Sequence, residues 1–178
     1  MDDNPNITLC GSYPVVGRTN RVVDSDVFVA IGNASIREKL SKNRKLITLV
    51  HPNAVIAEGV EIGKGTVVMA GVVINSGVKI GQCCIVNTAS SIDHDCVIGD
   101  FSHIAVGAHV CGSVNIGAST WIGAGATVSN NVNICDGCMI GVGAVVIHDI
   151  KKKGTYIGVP AKNMSKISKN GEDTILSV

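Results

Sequence analysis

In the run Ile92-Asp93-His94-Asp95-Cys96 one imidazole stands between two carboxylates. A neutral histidine, with an ordinary pKa of about 6.5, is suited to take a proton from an attacking amine or hydroxyl. A neighbouring carboxylate fixes its tautomer and raises its basicity. His94 therefore has the features of a general base and Asp95 those of its partner, with Asp93 as a second orienting group. A solvated His-Asp pair on a surface has the same composition, so position must decide between the two readings. Asn87, His103 and Gly112 are the further polar or bare-backbone positions nearby that could serve chemistry.

What positions them is a beat. From Ile56 through Ile62, Val68 and Ile74 to Ile140 and Val146, every sixth residue is Ile or Val. A second beat runs two residues ahead, from Ala54, Val60, Thr66 and Val72 to Cys138 and Ala144, all small or β-branched. A period of six fits neither a helix nor a simple strand. It marks a parallel β-helix, in which three hexapeptides make one coil of about 18 residues and each residue stacks on its equivalent one coil on. Both beats point inward. Residues 54 to 148 give about five coils. The glycines after the Ile beat, such as Gly63, Gly81, Gly99 and Gly117, are expected to turn corners at positive φ.

On this frame His94 projects outward near a corner, and Gly112 lies directly one coil above it. A glycine there leaves room over the imidazole and a bare N–H able to hold an oxyanion, though a plain turn glycine fits as well. Asn87 is an outward corner residue able to hydrogen-bond a substrate or the base; corner Asn also occurs for conformational reasons alone. His103 precedes inward Ile104, two prism sides from His94, or is simply a surface histidine. One site using both histidines is built most easily from two subunits. Cys96 points inward, which disfavours a cysteine acyl-enzyme.

Composition agrees with a mainly β repeat domain. The chain has 178 residues, 3% aromatic and 46% hydrophobic, with formal net charge +1. That balance argues against nucleic-acid partners or a charged membrane face. No apolar run approaches a membrane span, and the acidic N-terminus is no signal peptide. Seven Cys, without a CxxC framework of metal type, read as reduced thiols of a cytoplasmic protein. Residues 1–50 form a separate unit. Asp26 to Gly32 reads as a strand, Asn33 as a cap for a helix over Ala34 to Ser41 that exposes Arg37, Glu38 and Lys39, and Lys45 to Val50 as a second strand. This is a partial Rossmann-like α/β domain, too small a sheet to be stable alone. Residues 51–150 are the β-helix and 151–178 a C-terminal tail.

The chain resembles the left-handed β-helix sugar O/N-acetyltransferases, the sialic acid, bacillosamine and perosamine group. The segments that carry the resemblance are Asp2-Asp3-Asn4-Pro5, Val27 to Asn33, His51-Pro52-Asn53-Ala54, Asn87-Thr88, Asp93 to Gly99, and Gly158-Val159-Pro160-Ala161-Lys162. The resemblance implies left-handed coils, a homotrimer with sites between neighbouring prisms, acetyl-CoA as co-substrate, no metal, and a sugar acceptor, UDP-linked and bearing an amine or hydroxyl. It places the base on His94, the basicity-raising carboxylate on Asp95 and an acetyl-CoA contact on His103. Ala124 and Val142, beside Gly123, Gly141 and Gly143, would let a pantetheine arm lie along a groove, with Lys151, Lys152, Lys153 and Lys162 near its phosphates. Such families open with a strand and a Gly-rich loop. This chain starts downstream of that loop, so weak acceptor binding with normal acetyl-CoA binding is the expectation. A γ-carbonic-anhydrase-like zinc site on His94, His103 and His109 fails on spacing. A non-catalytic scaffold would show regular outward ladders, which are missing here.

Overall fold

The computed structural model describes residues 1, 3–21 and 23–167. The expectations that fall on Asp2 and on residues 168–178 of the tail lie outside the described residues.

From Leu49 to Ile157 the chain winds into a three-sided β-solenoid of about seven turns. Each side is a parallel sheet of two-residue strands. The first face stacks Leu49–Val50, Val67–Val68, Ile85–Val86, His103–Ile104, Trp121–Ile122, Met139–Ile140 and Thr155–Ile157. The second runs from Val55–Ile56 to Val145–Val146, and the third from Glu61–Ile62 to Asn133–Ile134. Register pairs like with like, as in Ile80↔Ile98 and Ile98↔Ile116. Val68, Val86, Ile104 and Ile122 on the inward beat are each 0% exposed. Their β-branched side chains are stiff and suit a pleated wall. Each such burial is worth about 1.5–3 kcal/mol.

The expectation of about five coils is too short. Leu49–Val50 adds a rung below, and Thr155–Ile157 adds one above before Lys162–Asn163 closes the face antiparallel. The corner glycines also need correcting. Positive φ does not fall on Gly63, Gly81, Gly99 or Gly117; it falls two residues later, at positions such as Gly65 and Cys83. Glycine follows the Ile beat for a steric reason. A Cβ on Gly63 would lie 2.5 Å from Gln82 N, and one on Gly99 2.5 Å from Ala118 N. The next coil passes too close for a side chain.

On the edge between the third and first faces the inward column is Thr66, Cys84, Ser102, Thr120 and Cys138. Thr66 Oγ1 donates to Gly81 O (2.8 Å), Ser102 Oγ to Gly117 O (2.9 Å) and Thr120 Oγ1 to Cys135 O (3.2 Å). Buried carbonyls need donors, so small polar residues hold a beat that is apolar elsewhere. Cys135 and Cys138 form a lone C-x-x-C pair, sulfurs 3.5 Å apart. All seven cysteines are free.

The N-terminal unit is smaller than expected. Helix α1 spans Ala34–Ser41, and Asn33 Oδ1 accepts its Ile36 N–H at 3.0 Å. The strands around it shrink to Asp26–Val27 and Lys45–Leu46, paired in parallel. Leu49–Val50 joins the solenoid instead, and a Rossmann-like sheet is not formed among the described residues. A hairpin of Leu9–Cys10 and Tyr13–Pro14 precedes the unit. Arg37, expected on the exposed face, is 1% exposed. Its guanidinium donates to Cys83 O (2.7 Å), Phe101 O (2.5 Å), Ile31 O (2.7 Å) and Gly32 O (2.9 Å). Four carbonyls satisfy the buried charge and tie the helix to the prism.

Candidate active site

His94 lies on the edge between the second and third faces, where the chain leaves Ser91–Ile92 and turns into Val97–Ile98. Ile92 and Val97–Ile98 anchor the turn, so the imidazole stands outward with about half its side-chain surface exposed. Its Nδ1 lies 2.9 Å from Asp95 Oδ2. That contact fixes the proton on Nδ1 and leaves Nε2 as the free base lone pair. Asp95 raises the His94 pKa through this hydrogen bond, and the nearby Asp93 charge adds to it. Asp93 itself is held elsewhere. Its Oδ1 accepts from Asn75 Nδ2 (2.7 Å) and from the His94 N–H (2.8 Å), which hold its carboxyl below the usual range. Of the two carboxylates, Asp95 therefore orients the ring and Asp93 braces the turn. A cleft of about 310 Å³ beside the turn is lined by Asn75, Ser91, Asp93, His109 and Cys111.

Gly112 sits directly over the ring: a Cβ there would lie 2.6 Å from His94 Nε2. Among the described residues its N–H donates to no backbone carbonyl. Gly77, one coil below Asp95, also has no room for a Cβ, which would meet Asp95 Oδ1. The only sequence signal for Gly77 is register, one coil before Asp95.

Of the other expected residues, Asn87, Ala124 and Val142 lie on the edge between the first and second faces, and His103 stands in the strand His103–Ile104 of the first face. Asn87 Nδ2 is 3.2 Å from His103 Nε2, so Asn87 holds that histidine and not His94. The amide must donate there, which places the His103 proton on Nδ1. His103 is no surface residue: it is 8% exposed, its ring is tilted at 43° against Trp121 with centroids 4.3 Å apart, and its Nδ1 is buried without a partner. Burial, with the Arg37 charge nearby, pushes its pKa down to about 4. It borders a cleft of about 400 Å³ between Asn33 and Ser35 of the α1 start and Trp121, Met139 and Lys153. Ala124 and Val142 follow Asn87 up this edge, and Val142 is 81% exposed. Within one chain the structure thus brings together His94, Asp95, Asp93 and Gly112, and separately Asn87 and His103. Cys96 is fully buried and its Sγ donates to Cys111 O at 3.1 Å. Burial pushes its thiol pKa up, which removes it as a nucleophile. No group of three His, Cys, Asp or Glu among the described residues gathers as a metal site.

No family model matches the chain. UDP-N-acetylbacillosamine N-acetyltransferase of Bacillus subtilis is 36% identical over 66 residues, 34% of this chain and 31% of that protein. The aligned stretch thus spans under a third of that relative. The acetyltransferase domain of PglB from Neisseria gonorrhoeae superposes with TM-score 0.86 at 36% identity, over 91% of this chain and 84% of that one. That domain is also known in complex with acetyl coenzyme A. PerB of Caulobacter crescentus, in complex with CoA and GDP-perosamine, gives TM-score 0.77 at 38% identity over 78% and 70% of the two chains.

Proposed function

This chain belongs to the hexapeptide-repeat sugar N-acetyltransferases of left-handed β-solenoid type, and from that membership we propose that it moves an acetyl group from acetyl-CoA to the amine of a nucleotide-linked sugar. The observation that carries the reading is the His94–Asp95 pair standing outward beneath Gly112, whose N–H donates to no backbone carbonyl.

In the proposed reaction the amine attacks the thioester carbonyl directly. His94 Nε2 takes the amine proton as the C–N bond forms. Asp95 holds the Nδ1–H and stabilises the imidazolium. The Gly112 N–H donates to the oxyanion of the tetrahedral intermediate. Collapse breaks the C–S bond, and the imidazolium returns the proton to the leaving thiolate, so the base is regenerated. No acyl-enzyme is needed, in keeping with buried Cys96. Neutral His94 is the active form, which suits a neutral or mildly basic working pH.

The geometry supports a homotrimer. His94 and Gly112 occupy one edge of the prism, while His103, Ala124 and Val142 occupy or flank another. An acetyl-CoA groove that uses both is formed when the edges of two subunits face each other. Lys153, at the mouth of the cleft near His103, is then placed to meet phosphates of coenzyme A. The strand–helix–strand unit pinned by Arg37 is read as part of the acceptor side.

The test is thiol release from acetyl-CoA across UDP- and GDP-linked amino sugars, their hydroxyl analogues and free sialic acid. Turnover confined to amino sugars is expected. Turnover with hydroxyl acceptors alone would replace the N-acetyl reading by O-acetylation. Absence of acetyl-CoA binding by calorimetry would overturn the acyl-transfer reading itself.

A further inference from the structure

The edge that carries His94 has a column of stacked turn residues: Gly77, Asp95, Ser113 and Asn131. All four have positive φ, at 73°, 57°, 58° and 60°. Three of the four carry side chains in that conformation, so backbone conformation alone does not demand glycine at 77. Space does. A Cβ on Gly77 would strike Asp95 Oδ1 and come within 3.4 Å of Asp95 Cγ. Asp95 folds its carboxylate down over the bare Cα of Gly77, and from that seat Oδ2 reaches His94 Nδ1 at 2.9 Å. The neighbouring column offers a contrast. Gly71 has φ 71°, yet a Cβ there would meet Ala89 at 3.7 Å, an ordinary contact.

We infer that Gly77 is a positioning residue: its missing side chain is the seat that holds the Asp95 carboxylate against His94. The pair is then built between two glycines, Gly77 beneath the carboxylate and Gly112 above the ring. This rests on the reading of His94 as the base, but the seat itself is a matter of geometry and can be measured without turnover.

Gly77→Ala is compared with Gly71→Ala, which introduces the same methyl at nearly the same φ without touching Asp95. The charged groups next to His94 on its own turn are Asp93 and Asp95, while Ser76 and Gly77 below and Gly112 and Ser113 above carry no charge. NMR titration of His94 should show Gly77→Ala lowering its pKa to the Asp95→Ala value, with Gly71→Ala unchanged. Turnover in Gly77→Ala should fall to within about twofold of Asp95→Ala. The double variant should be no worse than Asp95→Ala alone, because the clash is gone. If Gly77→Ala folds poorly, Asp95→Ala should restore its melting temperature by the same logic. A His94 pKa in Gly77→Ala equal to wild type, or additive losses in the double variant, would overturn the inference. If instead Asp95→Ala leaves turnover intact while both variants lower the His94 pKa, the seat stands and the base mechanism falls.

Discussion

His94 and His103 show how one residue type is turned to opposite ends by its surroundings. His94 is half exposed with a carboxylate on Nδ1, and that hydrogen bond raises its pKa. Activity carried by the neutral form is lost as pH falls through the raised value. His94→Ala should lower kcat by roughly 10²–10⁴ with acetyl-CoA affinity little changed. Asp95→Asn should cost less and move the acid limb of the pH–rate profile to lower pH; wild-type turnover in His94→Ala would discard the assignment. His103 is buried between Asn87, Trp121 and Arg37, and its pKa of about 4 keeps it neutral. The unfolded chain binds its proton near pH 6.5, so between about 6.5 and 4 the unfolded state holds more protons and stability falls as pH falls. The shift corresponds to on the order of 3 kcal/mol of lost stability once the pH is below both values. Urea unfolding at pH 7 and pH 4.5 should show a smaller pH difference in His103→Gln than in wild type. An equal difference would mean that His103 is protonated in the fold without penalty.

At the scale of elements, the solenoid was legible because one rule repeats without interruption. Ile92 and Val110 stack as the beat requires, and His94 points out as its offset from Ile92 requires. Helix α1 was legible from its Asn33 cap and ends where expected, at Ser41. What the beat does not encode is which element covers a face. Arg37 looks like a solvent residue on a helix, and only the docking of α1 against Cys83 and Phe101 explains its burial. In the same way His103 reads as a surface residue until α1 and Trp121 enclose it. The glycines after the Ile beat were located correctly but explained wrongly, since coil-to-coil distance is a tertiary quantity. Two substitutions separate these effects. Arg37→Met leaves carbonyls of Phe101 and Cys83 without donors, and such buried groups cost about 1–3 kcal/mol each. Limited proteolysis should then cut the N-terminal unit faster while the prism stays intact. Gly99→Ala, which presses a Cβ against Ala118 N, should lower the melting temperature of the prism itself, whereas Gly107→Ala, with open space around its Cβ, should lower it less. Equal melting shifts for the two would show that the close approach at Gly99 costs no more than the positive φ of 62° at Gly107.

At the scale of the whole molecule, the proposed site draws on two edges of the prism. A prism is stiff, and its edges between the first and second and between the second and third faces cannot approach each other within one chain. In the proposed homotrimer the residues become partners across a rotation that brings a copy's edge alongside, and a closed ring of heterologous contacts would do this for every site at once. Light scattering should give about three times the 18.3 kDa chain mass. Complementation tests the shared site more sharply. His94→Ala removes the base from one edge, and Val142→Trp fills the groove on the other. Each alone should be nearly inactive. When the two are unfolded, mixed in equal amounts and refolded together, a site is whole only where a Val142→Trp subunit supplies His94 to a groove edge on a His94→Ala subunit. Random assembly gives that arrangement at about one site in four, so about a quarter of wild-type activity should return. Activity no greater than that of the separate variants would place both edges' functions in a single chain, or remove one of the edges from the site.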